Sequence, residues 1–542
     1  MASLFVLVLS TCVFASFVWK LFREYLVESP LDRIPGPRPS SWLAGNIPQF
    51  YDKTGKYYYQ FLREYGSVMR LSGLLGERLL FLHDPKALHH IFVKDQHIYE
   101  EAPAFIAINK VFFGEGLLST LGEQHKKQRK MLNPVFSTGH MPPIFYEVTG
   151  RLQKAFMNQV KNGPKEIDML HWMSRTALEL IGQSGMGYSF DSLKEDAQSA
   201  DLHPYSRSVK RFGGLLSGTG TFVVTSYILP FAANFNYPRL KRWVVEHIPS
   251  QWVRDLKEIV DTIQATAVDI YMTKQQAMIE GDDGKKDIIS VLVRANASAA
   301  EEDRLSDEEV FGQVASLTFA AMDTSSSALS RIICLLGEYQ EIQDRLRQEL
   351  LEAKKANHGE ELDYDQITSL PFLDAVVRET LRLHPPLGIA IRTARKDMVL
   401  PFSKPIKTTT GASISEIIVP NGTTLFASFY GANANPDIWG DDAHEWKPER
   451  WLKPIPEKVA ASHIPTIYSN LMTFLGGSRA CIGFKFAQLE IKIVLFVLLT
   501  SFKFVSGTQK IFWTMPGITA PVIEGDDITH PSLPMFVTAL DT

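Results

Sequence analysis

Cysteine is scarce in this 542-residue chain, which holds three: Cys12, Cys334 and Cys481. They are too few and too scattered for a disulfide framework, and no C-x-x-C pair offers a zinc site. That scarcity fits a catalytic body facing a reducing compartment. Charge is nearly balanced, at a formal −4, and no basic run offers a footprint for nucleic acid. No internal repeat and no long low-complexity tract occurs, which excludes a repeat architecture. No flavin or nicotinamide site is visible, so redox chemistry here would need electrons from elsewhere.

What is present is organised around Phe474-Leu475-Gly476-Gly477-Ser478-Arg479-Ala480-Cys481-Ile482-Gly483. A glycine-rich loop delivers one cysteine to the start of an apolar helix expected over 484–499. Free N–H groups at a helix start favour an anion, and hence a thiolate over a thiol. Gly477 and Gly483 leave room for a flat ligand close to the backbone. Arg479 is a permanent cation suited to a carboxylate. Alone, the cysteine would read as a structural residue in a turn.

The rest of the chain supplies the context. Ala2 to Trp19 is apolar and uncharged, close to the ~20 residues of a spanning helix. Lys20 and Arg23 follow it, which would keep the downstream chain cytoplasmic. The alternative, a cleaved signal peptide, lacks a basic region ahead of the apolar run. Ile34-Pro35-Gly36-Pro37-Arg38-Pro39 reads as a stiff, extended linker. A helix is expected over 58–65, a hairpin over 67–71 and 78–82, and a helix over 85–93. A loop is expected over 102–118, a basic helix from Gly122, continuous helix over 143–181 and an amphipathic helix over 252–280. Strand and turn are expected over 401–429, and short strands around 514–518.

Ser306 and Glu309 form a capping box before an apolar helix expected to reach Gly337. Within it stands Ala320-Ala321-Met322-Asp323-Thr324-Ser325. Asp323 is costly on so apolar a helix unless paired or functional. Thr324 can bond back to a carbonyl one turn earlier and loosen the helix. Glu379 and Arg382 share a face of a helix expected over 371–383. Downstream comes Pro448-Glu449-Arg450-Trp451.

Together these motifs resemble the cytochrome P-450 family, in the family's order and across nearly the whole chain. F-x-x-G-x-R-x-C-x-G is similar to its haem-binding loop, whose cysteine is the proximal iron ligand. The segment at Ala320 is similar to its oxygen-activation motif, with Ala321 in place of a glycine. The resemblance implies a mainly α fold with a small β region. It divides the chain into a transmembrane anchor (1–22), a linker with a proline-rich hinge (23–45) and one haem-thiolate catalytic domain (46–542). The wording of the anchor, hinge and loops resembles fungal members.

The resemblance also implies roles. Cys481 ligates haem b, with Phe474, Gly477 and Gly483 beside it. Arg129, Arg392 and Arg479 hold the propionates, and His125 stands where the family often has tryptophan. Asp323 and Thr324 manage protons. Glu379, Arg382 and Arg450 form a structural network. Phe105, Ile106, Ile108, Val111, Phe112, Phe319, Ala320, Leu387, Ile389 and Ile518 are candidate pocket walls, with ordinary core packing as the alternative for each. The segment 206–249, with Phe222, Tyr227, Phe231 and Phe235, would roof the pocket and touch the membrane.

The implied activity inserts one oxygen atom of O2 into a lipophilic substrate, by hydroxylation or epoxidation. Electrons would come from NADPH through a separate cytochrome P-450 reductase, with cytochrome b5 as an optional second donor. The implied location is the endoplasmic reticulum membrane, single-pass, catalytic domain in the cytosol. Secondary metabolism, for example of terpenoids, is the expected setting; a xenobiotic, fatty-acid or steroid hydroxylase is the alternative. A reductase-independent isomerase or dehydratase would turn over without NADPH. A haem sensor or carrier would not turn over at all.

Overall fold

The computed structural model describes residues 19, 22–23, 26–136, 139, 141–194, 203–215, 221, 223–233, 237–281, 286–515 and 517–540. The anchor expected at 1–22 lies outside them except for Trp19 and Phe22, as do Phe222, Phe235 and Pro516. Among the described residues no helix is long and apolar enough to cross a membrane.

Helices form most of the body, and small sheets lie at its edge. The expected helices recur at Lys56–Tyr65, Gly122–Leu132, Gln251–Ile279, Pro371–Leu383 and Phe484–Leu499. Two expectations fail. The stretch 143–181 is not one helix: Pro142–Val160 and Met169–Leu180 are separated by the strand Lys165–Asp168, which pairs with Pro534–Ala539. Gly163, at φ 118°, and the following Pro164 end the first helix there. Nor is 102–118 a loop throughout, because Pro103–Phe113 is helical. Pro103 sits in the first turn, where its missing N–H costs nothing, and only 114–121 remains irregular.

The principal sheet has five strands, in the order Val68–Ser72, Arg78–Leu82, Thr424–Ser428, Ile389–Ala394 and Tyr99–Glu101. Its last pair is antiparallel and sets Glu101 opposite Arg392. A second, smaller core of Phe50, Tyr58, Phe81, Phe426 and Met515 fills one face of this sheet.

The helix Asp307–Glu338 crosses the main core. Ser306 Oγ accepts from the Glu309 N–H at 3.2 Å, and Glu309 accepts from the Ser306 N–H at 3.0 Å, so the expected capping box starts it. Residues 312–318 and 325–330 are buried all round. Between them Phe319, Ala320, Ala321, Asp323 and Thr324 keep accessible surface. A helix buried on both sides of an accessible stretch borders an internal chamber there.

Candidate active site

The cysteine loop is fixed from several directions. The Cys481 N–H donates to the Phe474 carbonyl at 2.8 Å, and Arg129 donates to the Ala480 carbonyl at 2.5 Å. Cys481 keeps exposed surface although protein encloses it deeply, so that surface faces inward. Burial pushes its thiol up, while the Gly483 N–H and the Arg129 charge pull it down without cancelling. The helix start therefore favours a thiolate, as expected, but less than burial opposes it. A cation at the sulfur would complete the deprotonation.

The two glycines differ. A Cβ on Gly483 would make only an ordinary contact, 3.8 Å to a Phe136 ring carbon. A Cβ on Gly477 would lie 1.9 Å from the Phe92 carbonyl oxygen, and its φ is 72°. Room at Gly477 therefore goes to protein backbone rather than to a ligand, which corrects the reason given for it. Phe474 lies half-buried beside the loop, its ring 5.4 Å from Tyr468.

Arg129, Arg392, Arg479 and His125 are brought together around this loop. Arg479 donates to the Thr120 carbonyl at 2.7 Å and pairs with Glu101 at 3.1 Å. Arg392 pairs with the other oxygen of Glu101 at 3.2 Å and stacks over Phe92. Burial lowers the pKa of His125 to about 3, helped by the Arg479 and Arg129 charges, so its ring is neutral. A neutral imidazole still offers one N–H to a carboxylate. Glu101 is the residue that sequence reasoning missed. It stands in no motif, and only sheet register sets it beside Arg392.

The Asp323 carboxyl has no hydrogen-bond partner among the described residues, and burial raises its pKa to about 7. Its carboxyl faces Tyr205, whose hydroxyl is buried and also without a partner. Such a group exchanges a proton near neutrality, which suits a proton relay. Thr324 Oγ1 donates to the Ala320 carbonyl at 2.7 Å, the expected back-bond. The next residue ties this helix to the cysteine helix, since Ser325 donates to Glu490 at 2.7 Å. Burial raises Glu490 to about 8, so at neutrality this contact joins two largely uncharged groups.

The candidate walls divide. A cavity of about 510 Å³ is lined by Phe105 and Ile108, with Ile391, Phe426 and Tyr227. It includes neither Cys481 nor Asp323, so this approach cavity is not the site itself. Leu387 bridges Ile518, and Ser327 on the long helix donates to the Thr519 carbonyl at 2.7 Å. Leu387, Ile518, Phe319 and Ala320 thus share the chamber side of the fold, and all keep accessible surface. Ile389 packs on the sheet core. Ile106 and Val111 are half-buried outside the approach cavity. Phe112 is 2 % exposed within the main core, so as a wall residue it is corrected to a core residue.

The Glu379 network is closed. Arg382 makes two 2.8 Å bonds to Glu379, with both side chains fully buried. It also donates to the carbonyls of Asn433, Ala443 and Glu445. Arg450 and the Trp451 N–H reach Glu379 at 3.4 and 2.9 Å.

The arginine cluster, by contrast, has charge to spare. Arg392 and Arg479 share one carboxylate, Glu101, and Arg129 reaches only a backbone carbonyl, beside an inward-facing sulfur. Among the described residues no set of three or more His, Cys, Asp or Glu could hold a bare metal ion. A single sulfur donor suits a metal that arrives inside its own planar macrocycle, and spare guanidiniums suit that macrocycle's carboxylates. The residues therefore fit haem.

Comparison with known proteins agrees with this geometry. The sequence profile of the family described as Cytochrome P450 matches residues 35–519. Cytochrome P450 monooxygenase 91 of Postia placenta is 44 % identical, over 98 % of each chain. The ganoderic acid synthetase CYP5150L8 of Ganoderma lucidum is 38 % identical, over 98 % of this chain and 99 % of its own. A cytochrome P450 monooxygenase of Hericium erinaceus, eriI, is 37 % identical over 92 % of each.

Proposed function

The chain belongs to the cytochrome P450 family, as a monooxygenase, and on that premise we propose that it oxygenates a lipophilic compound of secondary metabolism, a terpenoid being the first candidate. The observation that carries the reading is the inward-facing Cys481 among spare guanidiniums, on the loop that leads into a helix tied to the accessible Asp323–Thr324 stretch. The terpenoid setting draws on the name of the Ganoderma relative and on the apolar walls Phe105, Ile108 and Phe319.

When bound, the haem supplies dioxygen activation. The chain's own residues do the rest. Cys481 would supply the sulfur that holds the haem iron, and Arg129 fixes the loop that carries it. Arg392 and Arg479 meet the carboxylates, with His125 as a neutral donor. Asp323, poised near neutrality, carries protons in, and Thr324 offers a hydroxyl on an accessible turn. Electrons come from NADPH through a separate reductase, with cytochrome b5 as a second donor. A 1–22 anchor holds the enzyme on the endoplasmic reticulum membrane. Exposed apolar side chains at Tyr227, Ile228, Phe231, Leu240 and Trp243 support a lipid-facing surface there.

The test is the carbon monoxide difference spectrum of reduced protein, wild type and Cys481→Ala. The wild type gives a strongly red-shifted Soret band, and the variant loses it. A folded, haem-loaded wild type without that band would overturn the assignment.

A further inference from the structure

The approach cavity holds a charge that the oxygenase reading does not use. Lys53 lines it, among Tyr51, Leu79, Phe105, Ile108 and Phe426. Burial depresses the Lys53 pKa, and no neighbouring carboxylate acts to raise it. Among the described residues no hydrogen bond or ion pair holds its ammonium. The other charged groups of the cavity are engaged elsewhere. Glu77 accepts from the Tyr227 hydroxyl at 2.5 Å. Arg395 pairs with Glu100 at 3.3 Å and donates to the Glu101 carbonyl at 2.9 Å.

Lys53 is not a loose surface lysine. Its carbonyl accepts from the Met515 N–H at 2.9 Å, and Thr54 bridges Met515. This clamps its backbone to the C-terminal hairpin, whose Ile518 faces Leu387. From the cavity, Ile391 and Ile389 follow on one face of their strand, two residues apart, and Leu387 comes next. Four extended residues span roughly 13 Å. This row of apolar side chains leads from the Lys53 cavity towards Leu387 and the chamber side of the fold.

We propose that Lys53 anchors the head group of the substrate, and that the substrate class is an amphipathic lipophile with a carboxylate at one end, such as a terpenoid or long-chain acid. A half-buried ammonium without a partner in an apolar cavity is poorly compensated, and a carboxylate at the end of an apolar body supplies the missing acceptor while filling the apolar wall. The proposal rests on the oxygenase reading for the direction in which the body points. The binding itself does not need that reading.

The experiment is equilibrium dialysis of labelled hexadecanoic acid and its methyl ester against full-length, haem-loaded protein. Wild type, Lys53→Gln, Lys53→Arg and the exposed control Lys56→Gln are compared, and the carbon monoxide spectrum is recorded in parallel. Wild type should prefer acid to ester by about tenfold or more, the worth of one charge-assisted hydrogen bond. Lys53→Gln should abolish that preference without weakening the ester. Lys53→Arg and Lys56→Gln should keep it. Equal binding of acid and ester by wild type, no binding of either, or an unchanged preference in Lys53→Gln would overturn the proposal. Acid preference without the red-shifted band would uphold the anchor and sink the oxygenase reading instead.

Discussion

Two of the buried-charge clusters in this fold differ in one respect. Around Glu379, Arg382 and Arg450 every charge has a partner: both carboxylate oxygens accept, and the Arg382 guanidinium is shared with three backbone carbonyls. Around Cys481 and Asp323 the account does not close. Guanidiniums outnumber carboxylates, a neutral histidine lies between cations, and an enclosed aspartate lacks a partner. A satisfied cluster fixes structure, because any ligand would have to displace bonds already made. An unsatisfied one is unfavourable in isolation and is explained by what it receives.

The comparison can be broken most severely at Arg382. Arg382→Ala strands the fully buried Glu379 and should cost about 3–5 kcal/mol of stability, read by denaturant unfolding or as loss of folded, haem-loaded protein. A mild effect would mean that Arg450 and Trp451 suffice to hold Glu379.

Asp323→Asn tests the open cluster and should leave the fold intact. Turnover should fall by about 100-fold, and the ionisation near pH 7 should leave the pH–rate profile. The stability effect has a definite sign. The folded pKa, about 7, lies above the unfolded value of about 3.9. The aspartate therefore costs stability progressively as pH rises between those values, and fully above the upper one. The variant's melting temperature should thus gain on wild type as pH rises from 5 to 8. A constant difference across that range would exclude a raised Asp323.

The smallest effect is expected at Glu101, which belongs to the open cluster but closes part of it. Glu101→Gln removes the charge shared by Arg392 and Arg479 and should cost about 2 kcal/mol, measured by unfolding. The red-shifted band should persist, because Cys481 and its loop do not depend on Glu101. Loss of the band would place Glu101 nearer the metal site than its two ion pairs imply.

Legibility in the sequence followed the range of the interaction. Helices at 371–383 and 484–499 were readable because apolar spacing, prolines and glycines act within a few residues. The same holds for the capping box at Ser306 and the back-bond of Thr324. The helix at Pro103 was missed because glycines at 114 and 116 colour the whole stretch. The strand at Lys165–Asp168 was missed because its partner lies at the other end of the chain. Phe105 and Phe112 look alike in sequence, yet one lines a cavity and the other is core.

By itself, then, the sequence determined the family, the order of its motifs and which residue types carry the chemistry, since local spacing encodes these. The tertiary structure alone decided that Glu101 meets Arg392 and Arg479, that the Phe92 carbonyl fills the space at Gly477, and that Lys53 enters an apolar cavity without a partner. Each depends on segments far apart in the chain meeting through sheet register and core packing. One residue's change in register or rotation turns a side chain to another face, and nothing in the neighbouring sequence records which face that is.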